Sequence, residues 1–245
     1  MKCILLAAGY ATRLYPLTKD KPKSLLEVAG ITILEHILKK IEVINTVDEI
    51  LIVSNNRFYP QFTDWLSQYS SSKLIKVLND FTMDNETRLG AVADIQFAIK
   101  QENIQEDILV MAGDNLFDFE LVDFVDFYSN KHECCITVHE LQDVAALQKT
   151  GVVTIDYNYM VTAFEEKPEQ PKSNLAVPPF YIYNKASISL FEQYLVEGNN
   201  PDAPGNFIPW LITKAPVYAY PFSGHRYDIG THDSYREVQQ IFNKQ

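Results

Sequence analysis

Arg13 and Lys23 stand close behind the first apolar run of this 245-residue chain. Cys3-Ile4-Leu5-Leu6 leads into Ala7-Ala8-Gly9-Tyr10-Ala11-Thr12-Arg13-Leu14, and Pro22-Lys23-Ser24-Leu25-Leu26 follows. A buried strand ending in small residues, then a loop carrying Arg13 and Lys23, brings backbone N–H groups and two fixed charges onto a phosphate chain. Gly9 is expected to give the loop angles that turn its amides toward phosphates. The fork of Arg13 suits β- and γ-phosphates, and Lys23 supplies a point charge near an α-phosphate. Asp114, at the end of a later apolar run in Gly113-Asp114-Asn115-Leu116, is placed to hold Mg²⁺ against phosphate oxygens. Singly, each has a plainer reading: a lone cation on a loop is usually solvated, and an aspartate after a strand is usually a turn former.

The elements that must position these residues follow from periodicity. Strand-length apolar runs alternate with helix-period segments, which predicts an α/β fold with a mostly parallel sheet and helices on both faces. Strands are expected at 2–7, 49–54, 74–78 and 107–112, and helices at 58–69 and 88–100. Ile33, Leu34, Ile37, Leu38 and Ile41 have the spacing of an amphipathic helix. The second half is richer in strands: 135–139, 151–155, 161–164, 176–183 and 217–221, with a hairpin at Asp156-Tyr157-Asn158. Helices are expected at 120–128, 185–196 and 206–213, and a last one from Thr231, capped by Thr231 or Asp233. Asp118 reads as the cap of the 120–128 helix. No repeat or linker divides the chain, so 1–245 reads as one domain, with about 1–118 a nucleotide-binding half and about 119–245 an acceptor-binding half.

Bulk composition narrows the partners. A formal charge of −11 argues against nucleic acid, whose backbone is bound through clustered Lys and Arg. A mononucleotide needs only two or three placed cations and a metal. No apolar run approaches the roughly 20 residues of a membrane span, and the start lacks the pattern of a signal peptide. Cys3, Cys134 and Cys135 make a poor disulfide framework and read as buried thiols of a reducing compartment, so a cytoplasmic location is expected. The five histidines show no metal-ligand spacing. Phe180, Tyr181, Tyr183 and Trp210 are the aromatics offered as pocket walls; the rest read as core.

The ordered motifs resemble those of the sugar-1-phosphate nucleotidyltransferases. That signature runs Leu-Ala-Ala-Gly-x-Gly-Thr-Arg-Leu-x-Pro-Leu-Thr and then Pro-Lys-x-Leu-Leu, and Pro16-Leu17-Thr18 and Pro22-Lys23 stand in that order here. The resemblance covers Met1 to about Tyr235 and implies a Rossmann-like three-layer α/β/α fold with a small β-rich substrate subregion. It also implies transfer of a nucleotidyl group from a nucleoside triphosphate to a phosphorylated small molecule, with release of pyrophosphate. It assigns Leu6, Ala8, Gly9, Ala11, Thr12, Arg13 and Lys23 to the nucleotide. Asp228, before Ile229-Gly230-Thr231, becomes the second Mg²⁺ ligand beside Asp114. In Phe164-Glu165-Glu166-Lys167-Pro168, Glu166 would hold sugar hydroxyls and Lys167 the attacking phosphate, with Gly151 offering its N–H to a sugar oxygen. Asn85 lies five residues before Gly90, the spacing at which thymidylyl and uridylyl enzymes read the base, although 84–87 also reads as a turn and helix cap.

Three positions depart from the pattern. Ala11 stands where the family usually has a second glycine, Pro178-Pro179 where it usually has a glycine, and Arg226 where an aromatic is common. The expected pair is glucose 1-phosphate with dTTP or UTP. A cytidylyltransferase for phosphocholine or a phosphonate is the second reading, and a non-catalytic nucleotide-sugar-binding regulator the third. Homo-oligomer formation is left open.

Overall fold

The computed structural model describes residues 1–243 and contains two compact units. One comprises Lys2–Leu89, Ala112–Leu121 and the chain from Gly224 onward; the other comprises Gly90–Met111 and Val122–Ser223, with Met1.

In the first unit the strands Lys2–Leu6, Glu49–Ser54 and Leu74–Asn79 pair in parallel. Cys3, Ile4, Leu5 and Ile50 through Val53 are all fully buried, as strands covered on both faces require. The register sets Leu6 beside Val53 and Ser54 beside Asn79, so the carboxyl ends finish level. The segments that follow these strands therefore open on one edge, the usual place for a ligand in such a sheet. The helix Ile33–Glu42 buries Ile33, Leu34, Ile37, Leu38 and Ile41, and Thr32 caps it by accepting from the Glu35 N–H at 3.1 Å. Each of those aliphatic side chains contributes about 1.5–3 kcal/mol on burial, against about 1 kcal/mol for the cap. A second helix spans Tyr59–Leu66. Two short antiparallel pairs escape the sequence reading: Glu27–Val28 with Ile31–Thr32, and Asn115–Phe117 with Arg226–Asp228. The last helix, His232–Phe242, opens with a reciprocal cap between Thr231 and Ser234.

The second unit is the β-rich part. Its strands run in the order Val161–Glu166, Gly151–Ile155, Leu175–Val177, Cys134–Glu140, Phe180–Tyr183 and Ile108–Ala112, with antiparallel neighbours. Val217–Pro221 adds to Cys134–Glu140 in parallel. Helices Ala91–Gln101, Leu121–Lys131, Ile188–Val196 and Phe207–Leu211 accompany them. The strand expected at 176–183 is broken in two, because neither Pro178 nor Pro179 has an N–H to give to a ladder. The Phe180 N–H instead donates to the Pro178 carbonyl at 2.8 Å, closing a three-residue turn on Pro179. The helix expected from 88 begins at Ala91, since Gly90 at φ +94° precedes it as a non-helical cap. That expected over 206–213 is only Phe207–Leu211, preceded by a 3-10 turn at Pro204–Asn206. All three cysteines are buried thiols.

Phe180, Tyr181 and Tyr183, offered as pocket walls, are buried at 2% exposure or less. Tyr183 meets Phe191 edge-on at 5.0 Å, and Phe191 stacks on Phe207 at 4.2 Å. Every residue of their strand is buried, on both faces of the sheet, so the rings are core. Trp210 stacks beside Phe207 and donates its ring N–H to Glu197 at 2.7 Å.

Candidate active site

At the level carboxyl edge of the first unit, side chains hold each segment in place. Buried Asn55 donates to the Ala8 carbonyl at 2.8 Å and accepts from the Phe58 N–H at 3.0 Å. Asp80 accepts from the N–H of Thr82 at 2.7 Å, and the Thr82 hydroxyl lies 3.4 Å from that of Tyr10. Burial pushes the Asp80 carboxyl above its ordinary value despite those Thr82 contacts. The Gly113 N–H donates to the Leu6 carbonyl at 2.8 Å, which brings the 112–121 segment alongside the first strand.

The loop itself differs from expectation at its glycine. Gly9 is not in the left-handed region, and a Cβ there would meet nothing within 4 Å. The left-handed residue is Ala11, at φ 46°, ψ 43°. Its carbonyl accepts from the Leu14 N–H at 3.0 Å and from the Thr18 hydroxyl at 2.8 Å, so the turn is tied down on both sides. Thr12–Leu14 then forms a 3-10 turn that leaves Arg13 exposed, its guanidinium beside Gly230. His232 bonds the Tyr15 carbonyl at 2.8 Å, linking the start of the last helix to the same loop.

Lys23 is 8% exposed and lies beneath two carboxylates. Its ammonium is 2.9 Å from Asp114 and 3.9 Å from Asp228. The Asn115 amide donates to Asp114 at 2.6 Å, and Arg226 Nε donates to the Asn115 Oδ1 at 2.5 Å. Arg226 also reaches Asp228 at 3.4 Å, which closes a ring of five side chains. The register explains the ring: Asp228 pairs with Asn115 and Arg226 with Phe117 across the short antiparallel strands. Burial pushes the Asp114 carboxyl up, but Lys23, the Asn115 amide and Arg226 outweigh it and leave it below the ordinary value. Two hard carboxylate donors with solvent-open faces suit Mg²⁺, which commonly takes one or two carboxylates and fills its shell with phosphates and water. Among the described residues no group of three His, Cys, Asp or Glu side chains gathers for a metal.

Asp118 does not cap the following helix. It accepts from the His225 N–H at 2.6 Å, faces the His225 ring at 3.0 Å and accepts from the Tyr227 hydroxyl at 3.3 Å. This carboxylate staples the segment that carries Arg226 and Asp228. Gly224, at φ +131°, allows the approach, since a Cβ there would overlap Asp118 Oδ1.

In the second unit, Glu166 sits opposite Gly151 in the ladder. A Cβ on Gly151 would overlap the Phe164 ring, and one on Gly205 would overlap Glu166 Oε2. Two glycines therefore cradle this carboxylate, and the aromatic cluster of Tyr183, Phe191 and Phe207 anchors the Pro204–Asn206 turn that brings Gly205 there. Burial raises the Glu166 carboxyl above its ordinary value, with Lys167, 3.8 Å away, pulling it down. Lys167 is exposed at φ 48°, its N–H donating to the Thr150 carbonyl at 3.1 Å.

Asn85 and Gly90 divide differently. Asn85 is exposed and lies in a turn built on Asp84, which accepts from the N–H groups of Glu86 and Thr87 at 3.0 and 2.9 Å. Gly90 has a packing reason for its type: a Cβ would stand 2.6 Å from the Pro201 carbonyl oxygen. Asn115, Arg226, Gly205 and Asn55 are the residues that sequence reasoning missed or left without a role. Asn55 and Asp80 had a readable signal, as polar residues directly after apolar strands.

The model of the nucleotidyl transferase family matches residues 2–245. The chain belongs to the nucleotidyl transferase family. This nucleotidyl transferase is 27% identical over 230 residues to the bifunctional protein GlmU of Methanocaldococcus jannaschii, covering 94% of this chain and 51% of that one. It is 28% identical over 242 residues to the UTP–glucose-1-phosphate uridylyltransferase AglF of Haloferax volcanii, covering 98% and 96%. It spans about half the length of the GlmU relative and nearly all of AglF. A solved UDP-glucose pyrophosphorylase complexed with UDP-glucose superposes with a TM-score of 0.84 at 21% identity, covering 99% and 98%, which shows the shared Rossmann-like α/β fold. No helix among the described residues is long and apolar enough to cross a membrane.

Proposed function

We propose that this nucleotidyl transferase moves a nucleoside monophosphate from dTTP or UTP to a sugar 1-phosphate, with glucose 1-phosphate the first choice, as one cytoplasmic domain. The observation that carries the reading is the buried Lys23 ammonium set beneath Asp114 and Asp228 at the edge where Arg13 also emerges. The name of AglF points to UTP and glucose 1-phosphate.

In this reading an acceptor phosphate oxygen attacks the α-phosphorus. The new O–P bond forms as the bond to the β-phosphate oxygen breaks, and pyrophosphate leaves with the electron pair. Arg13 grips the outer phosphates, and Lys23, held by Asp114 and Asp228 before the substrate arrives, lowers the charge at the α-phosphate. Lys167 holds the attacking phosphate and Glu166, cradled by Gly151 and Gly205, accepts from sugar hydroxyls. Leu6, Ala8, Gly9, Ala11 and Thr12 line the nucleotide, with Asn85 and Gly90 beside the base. Asp114 and Asp228 would hold Mg²⁺, which would supply charge neutralisation on the reacting phosphates. The burial of Phe180, Tyr181 and Tyr183 in the core takes away walls that a choline cage would use, which favours a sugar over phosphocholine.

Pyrophosphate release is to be measured across the common nucleoside triphosphates against sugar 1-phosphates, phosphocholine and aminoethylphosphonate, with Mg²⁺ present or chelated. Turnover with a sugar 1-phosphate and dTTP or UTP, lost in Lys23→Ala and Asp114→Ala, is the expected result. Full turnover in either variant would overturn the assignment. Turnover with CTP and phosphocholine alone would replace it, and nucleotide binding without any turnover would favour a regulator.

A further inference from the structure

Arg226 closes the polar ring, yet no step proposed above uses it. Its side chain is 17% exposed, and both ends of its guanidinium are engaged: Nε on the Asn115 carbonyl oxygen and Nη2 on Asp228. Asn115 passes the contact on to Asp114, so one arginine restrains both carboxylates, one directly and one through an amide. Arginine suits this task, since its planar fork meets two acceptors along fixed directions and stays charged at any working pH.

The charge balance of the cluster gives the arginine a second effect. Lys23 and Arg226 each contact the carboxylate pair, and Arg13 flanks Gly230 on the side where Asp228 lies. Two cations thus contact two carboxylates, and a third, Arg13, stands beside Gly230. A pair of aspartates alone would attract a bare divalent ion, whereas this set already carries its own counter-charge. A polyphosphate reverses the balance, because it brings several negative charges to the cations and offers oxygens to the metal.

Resting on the reading that Asp114 and Asp228 hold the divalent ion, we propose that Arg226 is a positioning residue that keeps both carboxylates in place without metal. By neutralising them, it makes the divalent ion enter with the nucleoside triphosphate and not ahead of it. The free protein then binds divalent ions weakly, and nucleotide strengthens that binding.

The test is a titration with Mn²⁺, its free concentration followed by electron paramagnetic resonance, on the full chain with and without a non-hydrolysable UTP or dTTP analogue. Wild type, Arg226→Gln, Arg226→Phe and Arg226→Lys are compared, and thermal melts select the neutral variant that folds. Without nucleotide, the neutral variants should bind Mn²⁺ at least about tenfold more tightly than wild type, the change expected from removing one unit charge beside Asp228 even with the full screening of bulk water. Arg226→Lys, which keeps the charge, should remain near wild type. With the analogue present, the gap between wild type and the neutral variants should narrow. Equal Mn²⁺ affinity of wild type and the folded neutral variants without nucleotide, with nucleotide-supported binding intact, would overturn the role of Arg226 alone. Absence of Mn²⁺ binding by wild type even with the analogue would instead remove the metal-site reading beneath it.

Discussion

Ala11→Gly addresses the left-handed residue of the first loop. Ala11 holds φ 46° and ψ 43°, where the Cβ of an L-residue crowds its own carbonyl at a cost of about 1–2 kcal/mol. Glycine carries no such cost, but its greater freedom in the unfolded chain offsets about 0.4–1 kcal/mol of the gain. The Thr18 and Leu14 hydrogen bonds to the Ala11 carbonyl involve only backbone atoms of residue 11, so glycine keeps them. The methyl group is only half-buried, and little packing is lost with it. The balance favours the variant by about 0.5–1 kcal/mol, a rise in Tm of about 1–4 °C for a chain of this size. Melts of the two proteins followed by circular dichroism at pH 7 measure it. Ala11→Val, with a branched Cβ in the same region, should fall by more than about 1 kcal/mol. A Tm for Ala11→Gly equal to or below that of wild type would refute the reasoning, because it would mean that the left-handed turn is not strained in solution.

Other predictions concern the two units separately. Gly90→Ala should lower Tm by several degrees: a Cβ would press on the Pro201 carbonyl at 2.6 Å and the residue sits at φ +94°, so a loss of about 2–4 kcal/mol is expected. Glu166→Gln should raise Tm at pH 7 while weakening the acceptor in KM. The folded carboxyl titrates above its ordinary value of 4.5, so it stabilises the fold fully only below that value and loses the contribution as pH rises through the folded pKa; the gain of Glu166→Gln should vanish near pH 4. Asp118→Asn should do the reverse. Burial raises the Asp118 carboxyl, but the His225 and Tyr227 contacts outweigh it and hold it below 3.8. Its stabilisation is present above that value and lost as acid is added, and the Tm deficit of the variant should close below about pH 3.

What could be read from the chain alone was what local pattern controls. The buried parallel strands are legible because Ile4-Leu5 and Ile50 through Val53 are apolar without interruption, and such runs bury on both faces wherever they pair. The residues at the ends of those strands, with Arg13, Lys23 and Asp114, follow from the same pattern, since a loop after a strand can only emerge at its carboxyl edge. The failures also have local causes in part: Pro178-Pro179 breaks a strand, and Gly90 delays a helix. Tertiary structure alone decided which polar groups meet. Lys23 and Asp114 are 91 positions apart, Asp118 and His225 107, and Asn115 and Arg226 111. No periodicity spans such separations. Whether Arg226 faces solvent or a carboxylate, and whether Asp118 caps a helix or staples a loop, depends on the register of the three-residue strand pair Asn115–Phe117 and Arg226–Asp228. That register is set by long-range packing, because strands so short carry too few side chains to specify their own partner.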